Sequence, residues 1–109
     1  MITDESIERA LDWLRDKAPV IAQARANRIY AEEYRKTMKA TIMAEHKDKP
    51  IGAQEREAYA APRYVEHLEA IREAVREDEE MRWTMTAAEA RIEAWRSMQA
   101  NERAKGRMV

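Results

Sequence analysis

The stretch RYVEHLEAIREAVREDEEMRWTMTAAEARIEAWRSMQANERA, residues 63–104, decides the fold because it contains neither proline nor glycine. Its apolar side chains recur every three or four residues, a spacing that places them on one helix face and is typical of a coiled-coil seam. The step from Val75 to Met81 is one residue short of a heptad, which predicts a local shift in register. The seam consists of Tyr64, Leu68, Ile71, Val75, Met81, Met85, Ala88, Ile92 and Trp95.

A second periodic stretch covers residues 3–46. Thr3, Asp4 and Ser6 are suited to cap its N-terminus. Pro19 interrupts the pattern because proline removes a backbone donor and clashes with the preceding turn. We expect a first arm that is kinked near Pro19; a complete break there would give a three-helix bundle instead. Its seam is formed by Ile7, Leu11, Leu14, Ala18, Ile21, Ala24, Ala31, Tyr34, Met38 and Ile42.

The two periodic stretches are joined by residues 47–62. KDKPIGAQ, with Pro50 and Gly52, predicts a loop. AQEREAYAAP predicts one or two helical turns that end before Pro62, since a residue that precedes proline avoids the α conformation. The sequence thus predicts an all-α, elongated antiparallel helical hairpin of coiled-coil type. It forms a single helical domain over 1–109, with arms at 3–46 and 63–104.

Composition limits the chemistry of this chain of 109 residues. There is no cysteine, which excludes disulfides, thiolate zinc sites and cysteine nucleophiles. Neither histidine belongs to a Glu-x-x-His pair, and no phosphate loop or nucleophile elbow is present. We therefore expect no enzymatic activity, no metal and no cofactor. The absence of a signal peptide and of a long apolar run predicts a cytoplasmic protein that does not enter a membrane.

Two helices that pack along one stripe leave other apolar side chains uncovered, among them Trp13, Tyr30 and Trp83. A hairpin with such a surplus usually packs against copies of itself, so we expect a homo-oligomer. The residues assigned to the core or oligomer seam are Leu11, Leu14, Ile21, Tyr34, Leu68, Ile71, Val75, Met85, Ile92 and Trp95.

Positive charge is concentrated in the second half of each arm. Residues 25–49 carry seven basic and four acidic side chains, and residues 81–109 carry six and three. Phosphate binding depends on how many charges are neutralised, so repetition in an oligomer would strengthen it. The predicted phosphate contacts are Arg28, Arg35, Lys36, Lys39, Arg91, Arg96 and Arg103.

Aromatic residues lie among these basic residues, and Tyr30, Tyr34 and Trp95 are candidates for stacking on single-stranded bases. Tyr34 and Trp95 also fall on the seam, where the alternative is that they serve as core anchors. Several methionines offer an adaptable apolar surface, which favours protein interaction as a further alternative. The sequence by itself leaves these interpretations open.

Three segments resemble small helical proteins that tailed bacteriophages encode in early replication and recombination gene clusters. They are AQEREAYAAPRYVEHLEAIREAV at 53–75, AAEARIEAWRSMQANERAKG at 87–106 and RIYAEEYRKTMKATIMAEH at 28–46. In its helical hairpin shape the chain is also similar to the UvsY recombination mediators.

That resemblance implies an oligomer that binds single-stranded DNA and helps to load a RecA-type recombinase in place of a single-strand-binding protein. We therefore expect a phage-type, non-enzymatic recombination accessory protein that acts in the bacterial cytoplasm. The alternative is a helical structural or assembly adaptor that binds a protein partner without DNA.

Overall fold

The computed structural model describes residues 2–107, which form three helices and no strand. The helices are α1 (Asp4–Ala44), α2 (Ile51–Ala60) and α3 (Pro62–Arg107). Residues from the start of α1 contact residues from the end of α3, and the end of α1 contacts the start of α3. The predicted all-α antiparallel helical hairpin is therefore confirmed.

Contacts along the hairpin define two compact units. The first unit is described over residues 2–21 and 80–107, and the second over residues 22–79. The first unit contains the beginning of α1 and the part of α3 from Glu80 onward. The second unit contains the rest of α1, all of α2 and the first part of α3.

Helix α1 begins with a reciprocal cap, as the sequence predicts. The backbone N–H of Ser6 donates to the Thr3 hydroxyl at 3.1 Å, and the backbone N–H of Thr3 donates to the Ser6 hydroxyl at 3.0 Å. These two bonds satisfy donors that the first turn would otherwise leave unpaired. Asp4 and Glu5 add negative charge at the positive end of the helix dipole.

Pro19 lies inside α1, and the helix passes through it without ending. The alternative of a broken first arm is therefore wrong. The residues on both sides of Pro19 are helical. The side chain of Pro19 is exposed. The carbonyl of Arg15, four residues earlier, has no backbone donor at Pro19, so the helix is maintained at a local energetic cost.

We expect the substitution Pro19→Ala to raise the free energy of unfolding by up to about 3 kcal/mol, because it restores a helical hydrogen bond and removes a clash. Urea denaturation followed by circular dichroism at a fixed protein concentration measures the change. The control Ala22→Pro, at another exposed position of α1, should lower the stability. An unchanged midpoint for Pro19→Ala would contradict this prediction.

The connection between the arms is shorter than predicted, because α2 already begins at Ile51 and includes Gly52. The side-chain amide of Gln54 donates to the carbonyl of Lys49 at 2.7 Å and fixes the start of the helix. Ala61 has an extended conformation with φ −63° and ψ 133°, and α3 starts at Pro62. The predicted boundary before Pro62 is confirmed, since proline fits the first turn of a helix.

The seam of α3 keeps a strict heptad spacing, with alternating steps of three and four residues. The predicted register shift after Val75 is wrong, because Ala74 and the buried Asp78 take the seam positions that connect Ile71 with Met81. Asp78 does not belong to the apolar pattern because its side chain is charged. The residues of this seam are Tyr64, His67, Ile71, Ala74, Asp78, Met81, Met85, Ala88, Ile92, Trp95 and Gln99, all buried or half-buried.

Helix α1 follows the same spacing, with exposed residues at the seam positions of Lys17 and Arg35. Arg28 occupies a half-buried seam position. Three residues assigned to the seam from the sequence lie beside it in the monomer: Leu11, Tyr34 and Leu68 are 51%, 39% and 40% exposed. Each of them is adjacent in sequence to a position with heptad spacing. The other assigned residues are half-buried: Leu14, Ile21, Ile71, Val75, Met85, Ile92 and Trp95.

The apolar core of the second unit is formed where α2 packs on α1 and α3. Ile42, Ala58 and Tyr64 are buried there, and each comes from a different helix. The rings of Tyr59 and Tyr64 meet edge to face at 5.4 Å. Helix α2 therefore covers apolar surface that two helices alone would leave exposed.

In the first unit, Ile7 and Ala10 are buried on α1. The indole N–H of Trp95 donates to the carboxylate of Asp4 at 2.9 Å. A buried or half-buried indole normally has such a partner. Trp95 is thus held at the helix contact, as an anchor of the seam would be.

Candidate nucleic-acid interface

Arg28 is the most extensively paired of the predicted phosphate contacts. Its Nη1 lies 3.1 Å from Asp78 Oδ2 and 3.0 Å from Glu79 Oε1, and its Nε lies 3.0 Å from Glu32 Oε1. The hydrogen bonds that Arg28 donates to Glu32, then to Asp78 and Glu79, raise the pKa of Arg28 well above its ordinary value. The charge of Arg28 stabilises the contact between α1 and α3. We therefore exclude Arg28 from the candidate interface.

Lys39 is also engaged within the chain. Its Nζ lies 4.9 Å from the centre of the Tyr59 ring, a cation–π geometry, and 3.9 Å from Glu55 Oε1. Contact with Tyr59 is the main cause that raises the pKa of Lys39. Lys39 therefore stabilises the packing of α2 on α1. We exclude it from the candidate interface as well.

The other five predicted basic residues are exposed. Lys36 pairs with Glu33 at 3.2 Å and Arg96 with Glu93 at 3.5 Å, on the surface of one helix in each case. Such exposed ion pairs contribute little to the free energy of unfolding, so each cation can exchange its carboxylate partner for a phosphate. For Arg35, Arg91 and Arg103 the part of the chain that the structure describes offers no ion pair.

The second unit presents a row of uncharged side chains on α1, which we call the uncharged stripe. Its members recur in steps of four and three residues, and all are exposed. In a chain with 38% charged residues, such a stripe is a distinct surface. It consists of Gln23, Asn27, Tyr30, Tyr34, Thr37 and Thr41.

Two tyrosines form the centre of the uncharged stripe. The rings of Tyr30 and Tyr34 lie 5.8 Å apart and within 20° of parallel. Tyr34 also meets the His67 ring at 5.4 Å, and His67 Nε2 lies 2.6 Å from the Ala31 carbonyl oxygen. These contacts hold Tyr34 in place, while Tyr30 is 69% exposed and free to accept another ring.

Two of the seven predicted phosphate contacts are therefore engaged within the fold, and an exposed aromatic ring takes a larger part in the candidate interface. The two are Arg28 and Lys39, which pair with residues of other helices. The aromatic ring is that of Tyr30, which the sequence indicated as a candidate for stacking but not as a phosphate contact. The signal for the uncharged stripe was present in the sequence as the spacing of Gln23, Asn27 and Tyr30. The ring geometry was not, because it depends on how His67 of α3 supports Tyr34.

A recess of about 480 Å³ lies in the second unit at the junction of α1, α2 and α3. Two of its acids are already paired, Glu45 with Arg63 and Glu57 with Lys49. A hydrogen bond from Arg63 lowers the pKa of Glu45, and one from Lys49 lowers the pKa of Glu57. Glu45 thus links the segment after α1 to α3, and Glu57 links α2 to the connection before it, so the acids of this recess are already used within the fold.

Comparison of the sequence with family models, with curated proteins and with solved structures finds no match. Over residues 2–107, none of the helices is both long enough and apolar enough to cross a membrane. The candidate interface therefore rests on the geometry of this chain alone.

Proposed function

We propose that this protein is a non-enzymatic single-stranded DNA-binding accessory of phage recombination or replication, and that it acts as an oligomer. The observation that carries the proposal is the exposed, nearly parallel pair of rings at Tyr30 and Tyr34. Every nucleobase has an aromatic face, so stacking on tyrosine binds single strands with little sequence preference.

Exposed cations supply the second requirement, contact with phosphates. Arg35 follows Tyr34 directly in the second unit, and Lys36 comes next. Arg91, Arg96 and Arg103 are the corresponding cations of the first unit. Each phosphate that is neutralised releases counterions, so binding by these residues will fall steeply with salt.

An oligomer would repeat both features along a DNA strand. In this proposal its partners are a RecA-type recombinase and a single-strand-binding protein, and it assists the exchange of one for the other. The work consists of binding and displacement, so it requires no nucleophile, acid or base.

We expect Tyr30→Ala to weaken binding of fluorescently labelled oligo-dT by about 10-fold, the loss of one stacked base. Arg35→Glu should weaken binding and reduce the dependence of affinity on salt, because one phosphate contact is lost. Fluorescence anisotropy over a range of salt concentrations measures both effects, with circular dichroism to verify that helix content is retained.

Tyr30→Phe is the matched control for stacking and should bind as the wild type does, since it keeps the ring. Arg72→Glu is the control for charge, because Arg72 is exposed on α3 and belongs to neither predicted basic zone. If the wild type does not bind oligo-dT at low salt, where electrostatic attraction is strongest, the proposed function is wrong.

An adaptor that binds a protein partner is the second candidate function. A groove in the first unit favours it. The groove and the uncharged stripe use different residues, although Arg91 belongs both to the groove and to the predicted phosphate contacts.

A further inference from the structure

The first unit contains a groove of about 270 Å³ between the beginning of α1 and the second half of α3. Alanine methyl groups from both helices line it, together with the half-buried indole of Trp13. Arg9 of α1 and Arg91 of α3 also line this groove, one from each helix. The main lining residues are Arg9, Ala10, Trp13, Ala87, Ala88 and Arg91.

The two hydroxyl groups of the groove are already occupied. The hydroxyl of Ser6 donates to the Thr3 carbonyl at 2.8 Å, and the hydroxyl of Thr84 donates to the Glu80 carbonyl at 2.8 Å. No carboxylate lines the groove, and among the described residues neither Arg9 nor Arg91 has an ion pair. The groove thus combines apolar walls with two unpaired guanidinium groups.

The sequence around Arg91 explains why it is unpaired. The residues three and four positions away on α3 are Ala87, Ala88, Ala94 and Trp95, so no acid reaches it along the helix. This differs from Arg76 and Arg96, each of which pairs with a glutamate three residues earlier. The positive charge of Arg91 is therefore available to a ligand.

We propose that this groove binds an acidic peptide segment of a partner protein, with a large apolar side chain against Trp13 and the alanines. Carboxylates that flank this side chain would pair with Arg9 and Arg91. Guanidinium groups bind carboxylates through two parallel hydrogen bonds, and the alanines leave room for an apolar side chain. The proposal does not require DNA binding, but Arg91 is also one of the proposed phosphate contacts, so the two ligands would compete for it.

A nucleotide fits the groove less well than such a peptide. Every nucleobase carries a hydrogen-bond donor on its polar edge, yet the groove offers few acceptors for it. The Ser6 hydroxyl already accepts from the Thr3 backbone N–H, and the two arginines can only donate. Phosphate alone would pair with the two arginines and leave the apolar walls without a partner. An apolar side chain with neighbouring carboxylates satisfies both the walls and the charges.

The test uses a fluorescein-labelled peptide, Gly-Asp-Asp-Leu-Phe-Asp-Asp-Gly, and the full chain. We expect binding at low salt that weakens about 10-fold or more in the double variant R9E/R91E, because its charge now repels the peptide. Ala87→Leu should weaken binding to a similar degree without a change in charge, since it fills the groove. Arg72→Glu, outside the groove, should bind as the wild type does.

Two altered peptides test separately the apolar contact with the groove walls and the ion pairs with Arg9 and Arg91. Replacement of Leu-Phe by Ser-Ser, or of every aspartate by asparagine, should each weaken binding about 10-fold or more. Retained binding by R9E/R91E or by Ala87→Leu would overturn the proposal, as would absence of wild-type binding at low salt. Displacement of the peptide by oligo-dT, with loss of oligo-dT binding in Ala87→Leu, would assign the groove to DNA and overturn it as well.

Discussion

Replacement of Arg28 by methionine is expected to lower the melting temperature by about 10 °C, because it leaves a buried carboxylate unpaired. Asp78 is 9% exposed on the seam of α3, and Arg28 is the cation that faces it. Methionine keeps a long apolar side chain but leaves the carboxylate of Asp78 buried without its partner. Thermal unfolding at a fixed protein concentration measures the loss.

The reciprocal variant Asp78→Leu should cost less, because Arg28 keeps Glu32 and Glu79 as partners. The double variant R28M/D78L should recover most of the stability, since two apolar residues replace the whole pair. Lys36→Met is the matched control, because Lys36 and its partner Glu33 are both largely exposed. If Arg28→Met unfolds at the same temperature as Lys36→Met, the pair between α1 and α3 is not a structural element.

Replacement of Ile42 by alanine is expected to lower the free energy of unfolding by about 3 kcal/mol. Ile42 is 2% exposed and lies among Ala58 of α2 and Tyr64 of α3, so the loss of its side chain leaves a cavity where three helices meet. Urea denaturation followed by circular dichroism gives the change, with the slope of the transition as a check for two-state unfolding.

Ile51→Ala is the matched control for this prediction, because Ile51 is the same residue type at 68% exposure on α2. We expect it to change the stability by less than about 0.5 kcal/mol. A loss for Ile42→Ala no larger than that for Ile51→Ala would show that the three-helix junction is not the principal core of the second unit.

Much of the hairpin could be predicted from the sequence, because its helices follow from local chemistry. Thr3 and Ser6 cap α1, Pro62 starts α3, and the stretch that follows Pro62 has no helix breaker before Gly106. The apolar spacing also identified half-buried residues such as Ile71, Ile92 and Trp95. Helix propensity and periodicity act over a few residues, so these features need no knowledge of the fold.

The exact seam could not be predicted in this way. Leu11 and Leu68 are apolar and lie beside the seam, yet they are exposed. The charged residues Arg28 and Asp78, in contrast, occupy seam positions. A charge tolerates a seam position only if its partner faces it from the other helix. Whether such a partner exists depends on which residues of α1 and α3 are opposite each other.

In the candidate interface, too, the sequence predicted some features and the packing of the helices decided others. Charge counts identified Arg28 and Arg35 as equivalent, but Arg28 meets three carboxylates, two of them on α3, whereas Arg35 does not. The contact of Tyr34 with His67 and the groove beside Trp13 likewise depend on how α1 and α3 pack. A sequence records the charge of a residue, but not whether another helix neutralises it.

By itself, the sequence determined that this chain forms long helices, where the first and third begin, and roughly which face of each is apolar. The tertiary structure decided the register of the seam, the pairing of Arg28 with Asp78, and which cations remain available to a ligand. The physical reason is the range of the interactions. Caps and helix propensity act within a few residues, whereas the pairing of a buried charge depends on residues 50 positions apart.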